Sequence, residues 1–103
     1  MSAMKNKQHK HILKAFINSP LPAAVRRECP ELVIVDSVIG GYCSQLLNST
    51  KKIAIKTSEV VTKAEKVAFA ELINKSTGAE KDDLVLYYRL IILVESILIQ
   101  YQQ

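Results

Sequence analysis

The sequence predicts an all-α fold: a compact bundle of four main helices plus one short helix, forming a single domain over residues 1–103. Apolar residues recur at intervals of three and four along most of the chain, which is the period of an amphipathic helix. Three prolines and Gly78 fall between the periodic segments, where they would separate one helix from the next. With 103 residues, 49% of them hydrophobic, the chain can bury one core but is too short for two domains.

The first predicted helix covers residues 2–18 and has one apolar and one basic side. The residues on its apolar side follow the helical period: His9, Ile12, Leu13, Phe16 and Ile17. The residues on its opposite side carry positive charge or can acquire it: Lys7, Lys10, His11 and Lys14. We therefore expect the apolar set to pack into the core and the basic set to face water.

Two prolines delimit a short second helix over residues 22–27. Pro22 can occupy its first position, and Pro30 ends it because the residue before a proline disfavours helical backbone. A third helix then follows over residues 31–48. Its apolar face consists of Leu32, Val35, Val38, Ile39, Tyr42, Cys43, Leu46 and Leu47. Residues 32–35 alone are typical of a strand, but the longer period favours a helix.

Gly40 and Gly41 interrupt the third helix at a point where each costs ~1 kcal/mol relative to alanine. The favoured interpretation is that these small residues let another helix approach closely. The alternative is a functional hinge.

A connection over residues 51–56 leads to the fourth predicted helix. Ser58 is its expected cap, and Gly78 is its expected end. The apolar face of this helix is predicted to be Val60, Val61, Ala64, Val67, Ala68 and Leu72.

The last predicted helix runs from Asp82 or Asp83 to Tyr101 and is apolar around most of its circumference. Its narrow polar stripe consists of Asp82, Arg89, Ser96 and Gln100. Such a helix must be buried nearly all round, either at the centre of the bundle or between two subunits. We expect a homodimer, with the candidate interface residues Arg89, Ile92, Glu95 and Ile99. A membrane span needs ~20 apolar residues, and this segment is shorter and carries charge.

Glu95 is the one ionisable residue that the pattern places among apolar neighbours. A buried carboxylate needs a partner or a raised pKa. We expect that partner to come from another helix or another subunit, with Tyr42 and the pair Lys51-Lys52 as the first candidates.

The sequence offers no recognisable catalytic or metal-binding constellation. It has no CxxC pair, no phosphate-binding glycine loop and no nucleophile elbow. Cys43 is expected to be an inert core thiol, and Cys29 the more exposed and more reactive one. No cofactor and no enzymatic activity are expected. The Lys-rich start lacks the apolar stretch of a secretion signal, which predicts a cytoplasmic location with both thiols reduced.

The leading functional hypothesis is a small regulatory protein that acts through protein–protein contacts as a homodimer. The alternative is a nucleic-acid-binding regulator, because the formal net charge is +4. It would use the basic first helix and the Lys51-Lys52 loop. The candidate anion contacts are Lys7, Lys10, Lys14, Arg26, Arg27, Lys51 and Lys52. A third option is a pocket between helices for an apolar ligand.

Overall fold

The described part of the chain forms a bundle of five helices, which confirms the predicted all-α class. The computed structural model describes residues 7–48 and 60–101, and no strand occurs within these two ranges. The helices are α1 (Lys7–Asn18), α2 (Ala23–Glu28), α3 (Glu31–Asn48), α4 (Lys63–Lys75) and α5 (Gly78–Gln100).

The last helix, α5, makes its main contacts with three of the other four helices. It packs against α1, α3 and α4, while α1 also packs on α3, and α2 lies against α3 and α4. Tyr87 marks the centre of this arrangement, because its ring lies 6.0 Å from the rings of both Phe16 and Phe69. Its hydroxyl donates a hydrogen bond to the Asp36 carboxylate of α3. One α5 side chain therefore contacts three other helices.

The inward side of α1 is narrower than predicted. Leu13 and Phe16 are buried, and His9 and Ile12 are half-buried, as the period indicated. Ile17 was expected inside but is 44% exposed, because it lies at the edge of the side that the buried Leu13 and Phe16 define. On the basic side, Lys7, His11 and Lys14 are exposed and Lys10 is half-buried. Residues 2–6 of the predicted helix lie outside the described ranges.

The prolines delimit α2 and α3 almost as predicted. Pro22 is the N-cap of α2 rather than its first residue. The bounds of α3 match the prediction, but Val38 is 46% exposed although it was expected in the core. The close approach expected at Gly40 and Gly41 is wrong, since an added Cβ at either glycine would meet no described atom within 4 Å.

The start of α4 is fixed by a capping box that the prediction missed. The hydroxyl of Thr62 accepts a hydrogen bond from the Glu65 amide at 3.1 Å, and the Glu65 carboxylate accepts one from the Thr62 amide at 2.8 Å. These two bonds satisfy amides that the first helical turn leaves unpaired. The expected cap, Ser58, lies outside the described ranges.

The buried face of α4 is also rotated from the predicted one. Leu72 is buried as predicted, and so is Val61 just before the helix, but the buried Phe69 was not expected in the core. Ala64 is exposed and Val67 is 49% exposed, although both were expected inside. The large Phe69 ring fills the space beside α5, lying 5.2 Å from the ring of Tyr88. The prediction gave alanine and valine the same weight as larger apolar residues. In the structure, the larger Phe69 takes the core position instead of Ala64 and Val67.

Gly78 begins α5 instead of ending α4. The fourth helix stops at Lys75, and Gly78 takes a positive φ of 61°. This left-handed conformation is accessible to glycine without steric cost. It lets α5 start four residues before Asp82, and both predicted caps, Asp82 and Asp83, therefore lie within the helix.

Candidate functional site

Within residues 7–48 and 60–101, the other helices cover only part of α5. Leu84, Ile91, Val94 and Leu98 are fully buried on its inner side. On the outer side Leu86 is 65% exposed and Leu93 is 51% exposed, while Leu90 between them is half-buried. Full burial of α5 inside one chain, one of the two predicted arrangements, is therefore not what the fold provides.

The exposed leucines line a groove beside the connection between α1 and α2. This feature, which we name the α5 groove, has a volume of about 500 Å³. One wall comes from Ser19, Pro20 and Pro22, and proline fixes the backbone of that wall. The α5 residues that line it are Asp83, Leu86, Tyr87, Arg89, Leu90 and Leu93.

Two charged residues beside the groove, Asp82 and Arg89, form no ion pair within the described part of the chain. Both are exposed and lie seven residues apart, which places them on the same side of α5. Ser96 and Gln100 are exposed as well, so the polar stripe predicted from the sequence is confirmed.

The structure does not bring the four candidate interface residues together on one surface. Arg89 lies at the groove, while Ile92 is half-buried and Ile99 is 40% exposed farther along α5. Glu95 is only 6% exposed and points into its own chain. The structure thus corrects the choice of Glu95 as an interface residue, because its carboxylate is already bound inside the subunit.

Glu95 joins α5 to the beginning of α4. One carboxylate oxygen accepts a hydrogen bond from the Val61 amide at 2.8 Å, and the other lies 3.0 Å from the Lys66 ammonium group. The expectation of a partner from another helix is confirmed by Lys66. Tyr42, the first of the expected partners, is not one of these two contacts, and the other candidates, Lys51 and Lys52, lie outside the described ranges. The site is structural, because it anchors the chain just before α4.

The candidate anion contacts are divided between two elements. Lys7, Lys10 and Lys14 lie on α1, whereas Arg26 and Arg27 lie on α2. Arg27 is already engaged, with Glu80 at 2.8 Å and Glu28 at 3.2 Å. The two remaining candidates, Lys51 and Lys52, lie outside the described ranges.

The thiols show no sign of activation. Burial raises the pKa of Cys43 to about 12 and also raises the pKa of the half-buried Cys29. In residues 7–48 and 60–101, no three His, Cys, Asp or Glu side chains are grouped as a metal ion would require. Within the same ranges, every helix is too short or too polar to cross a membrane.

The sequence did contain a signal for the groove that the initial interpretation missed. Leu86, Leu90 and Leu93, which all line the groove, follow one another at intervals of four and three residues. This spacing is typical of a helix that packs against another helix along a single seam. The wall formed by Ser19, Pro20 and Pro22 had no such signal, because it depends on how α1 folds back onto α5.

Comparisons with protein-family models, with curated proteins and with solved structures found no match to this chain.

Proposed function

We propose that this protein is a non-enzymatic interaction protein that binds a protein partner through the α5 groove. The observation that carries the proposal is the exposure of Leu86 and Leu93, at 65% and 51%, on a helix that also packs against α1, α3 and α4. Grouped exposed apolar side chains beside a groove are typical of protein–protein binding sites. A cytoplasmic location and a regulatory role belong to the same proposal.

The composition of the groove supports a protein partner over a small apolar ligand. Its lining combines three leucines with the charged side chains of Asp83 and Arg89. A protein interface usually combines apolar contacts with polar ones. The groove is also open to solvent along Leu86, so it would leave much of a small ligand uncovered.

Site-specific photo-crosslinking in native host cells tests this function. A photoreactive amino acid replaces Leu86 in one variant and Ile34 of α3 in a matched control, because these side chains are 65% and 67% exposed. We expect a discrete protein adduct from position 86 and a much smaller yield from position 34. The absence of any protein adduct at position 86 would rule out the proposed function.

The exposed basic side of α1 supports nucleic-acid binding as a second candidate. Lys7, His11 and Lys14 are solvent-exposed, but Arg27 is neutralised by carboxylates and adds no free charge. Duplex DNA affinity at two salt concentrations tests this candidate. Binding that weakens steeply with salt, and that Lys14→Glu reduces, would support it.

A further inference from the structure

We propose that the partner in the α5 groove is a second copy of this chain, bound so that the two α5 helices run antiparallel about a two-fold axis beside Leu86. Arg89 of each copy then lies opposite Asp82 of the other. This inference rests on the proposed function, because it names the occupant of the same surface.

Two copies of α5 bring opposite charges together only when the helices run antiparallel. Asp82 and Arg89 are separated by about two turns, or about 10 Å along the axis, and Leu86 lies between them on nearly the same side. An antiparallel copy reverses this order, so that its positive end meets the negative end of the first. A parallel copy would instead place Arg89 against Arg89 and Asp82 against Asp82.

The same charges select the register of the antiparallel pair. A two-fold axis midway between Leu86 and Leu93 would place the two Arg89 side chains close together, with no carboxylate opposite them. An axis beside Leu86 places the two Leu86 side chains in contact and creates two Arg89–Asp82 pairs. In this register Leu93 faces Ala79 of the second copy, an exposed small residue that leaves room for the leucine.

The two charged residues are free to make these contacts. Both are exposed, and neither is paired in the described part of its own chain. Because the two-fold axis applies each contact twice, the interface is closed and predicts a dimer instead of a longer assembly.

The first experiment measures mass in solution by sedimentation equilibrium at high micromolar concentration. We expect a dimer for the unaltered chain, a monomer for Leu86→Asp and a dimer for the matched control Ile34→Asp. Far-ultraviolet circular dichroism verifies that both variants remain helical. A monomeric unaltered chain, or a dimer that only Ile34→Asp disrupts, would overturn the proposal.

The second experiment reverses the charges one at a time. Arg89→Asp and Asp82→Arg should each weaken self-association by about tenfold or more at low salt, because each variant opposes like charges at both symmetry-related contacts. An equimolar mixture of the two variants should form a heterodimer that regains the lost affinity, since both contacts again join opposite charges. Failure of the mixture to recover affinity would refute the antiparallel pairing, even if a dimer exists.

The two proposals fail in different ways. A monomeric chain whose position 86 still crosslinks to a different protein would overturn the second copy as occupant and leave the proposed function intact. A monomeric chain with no adduct at position 86 would overturn both.

Discussion

Glu95 shows how one buried charge can decide the local path of the chain. Its carboxylate binds the Val61 amide and the Lys66 ammonium group, and so holds the entry to α4 against α5. The period of α5 indicated that this residue would be buried, since its neighbours one turn away are isoleucines and leucines. The identity of its partners could not be read from the sequence, because they depend on how α4 docks.

Substituting Glu95 should destabilise the fold in a graded manner. Glu95→Ala leaves the Val61 amide without an acceptor and should lower the free energy of unfolding by ~1–3 kcal/mol. Glu95→Gln keeps an acceptor for that amide and should cost less. Urea denaturation measures both, with the exposed Glu71→Ala as a control that should change stability by under ~0.5 kcal/mol. Equal stability of Glu95→Ala and the unaltered chain would contradict the structural role of this contact.

The two thiols should differ sharply in reactivity. Burial raises the pKa of Cys43 to about 12, so the reactive thiolate is scarce at neutral pH and sterically shielded as well. In the folded protein, a thiol reagent should modify the half-buried Cys29 first and reach Cys43 only after denaturant is added. Mass spectrometry of the unaltered chain and of Cys29→Ser measures the two rates. Rapid labelling of Cys43 in folded Cys29→Ser would contradict the burial.

At the scale of the element, α1 illustrates how a correct period can still overstate the buried face. Leu13 and Phe16 are buried as predicted, but Ile17, at the edge of the side that they define, is 44% exposed. Periodicity gives the direction of the apolar side, whereas its width depends on how many elements surround the helix.

The difference between Phe16 and Ile17 yields a matched pair of substitutions in α1. Phe16 is 3% exposed and touches the Tyr87 ring, so Phe16→Ala should cost ~3–5 kcal/mol of stability. Ile17 is 44% exposed, so Ile17→Ala should cost less than ~1 kcal/mol. Thermal and urea unfolding of both variants measure the difference. Comparable losses would show that α1 packs with a different side toward the core.

For the whole molecule, the helix bounds were predicted best where prolines mark them in the sequence. The prolines at positions 20, 22 and 30 fixed the bounds of α2 and α3 to within a residue or two. The boundary between α4 and α5 was missed because Gly78 suits a helix end and a helix start alike, and tertiary packing selects between them. The capping pair Thr62 and Glu65 was visible in the sequence and would have corrected the start of α4.

The functional surface was only partly predictable for a related reason. Since α5 is apolar around most of its circumference, its sequence could not say which side the chain itself covers. Arg89 marked the outward direction correctly, but the exposure of Leu86 follows from the number of helices that pack on α5.

Tyr87, which contacts three other helices, should make the stability of the fold depend on pH in the alkaline range. Burial and the hydrogen bond to Asp36 raise its pKa above the ordinary value of 10.0, so the folded state retains a proton that the unfolded chain loses. This contribution to stability is fully present below pH 10.0 and is lost as pH rises above it, at up to ~1.4 kcal/mol per pH unit.

Tyr87→Phe isolates this effect from the other groups that titrate at high pH, Cys43 among them. The variant should be less stable than the unaltered chain near neutral pH, because Asp36 loses a donor, by ~1.5–3 kcal/mol. Its stability should then fall less steeply above pH 10.0. Urea denaturation across the alkaline range measures both slopes, and identical slopes would contradict a buried, hydrogen-bonded hydroxyl.

The hydrogen bond from Val61 to Glu95 also has a consequence for the exchange of amide protons with solvent. Val61 precedes α4 and belongs to no helix, so its amide would ordinarily exchange quickly. Because the amide is held by a buried carboxylate of the central helix, exchange requires α4 and α5 to separate at that point. Val61 should therefore exchange as slowly as amides of the helical core, and its rate reports the opening of the interface between these two helices.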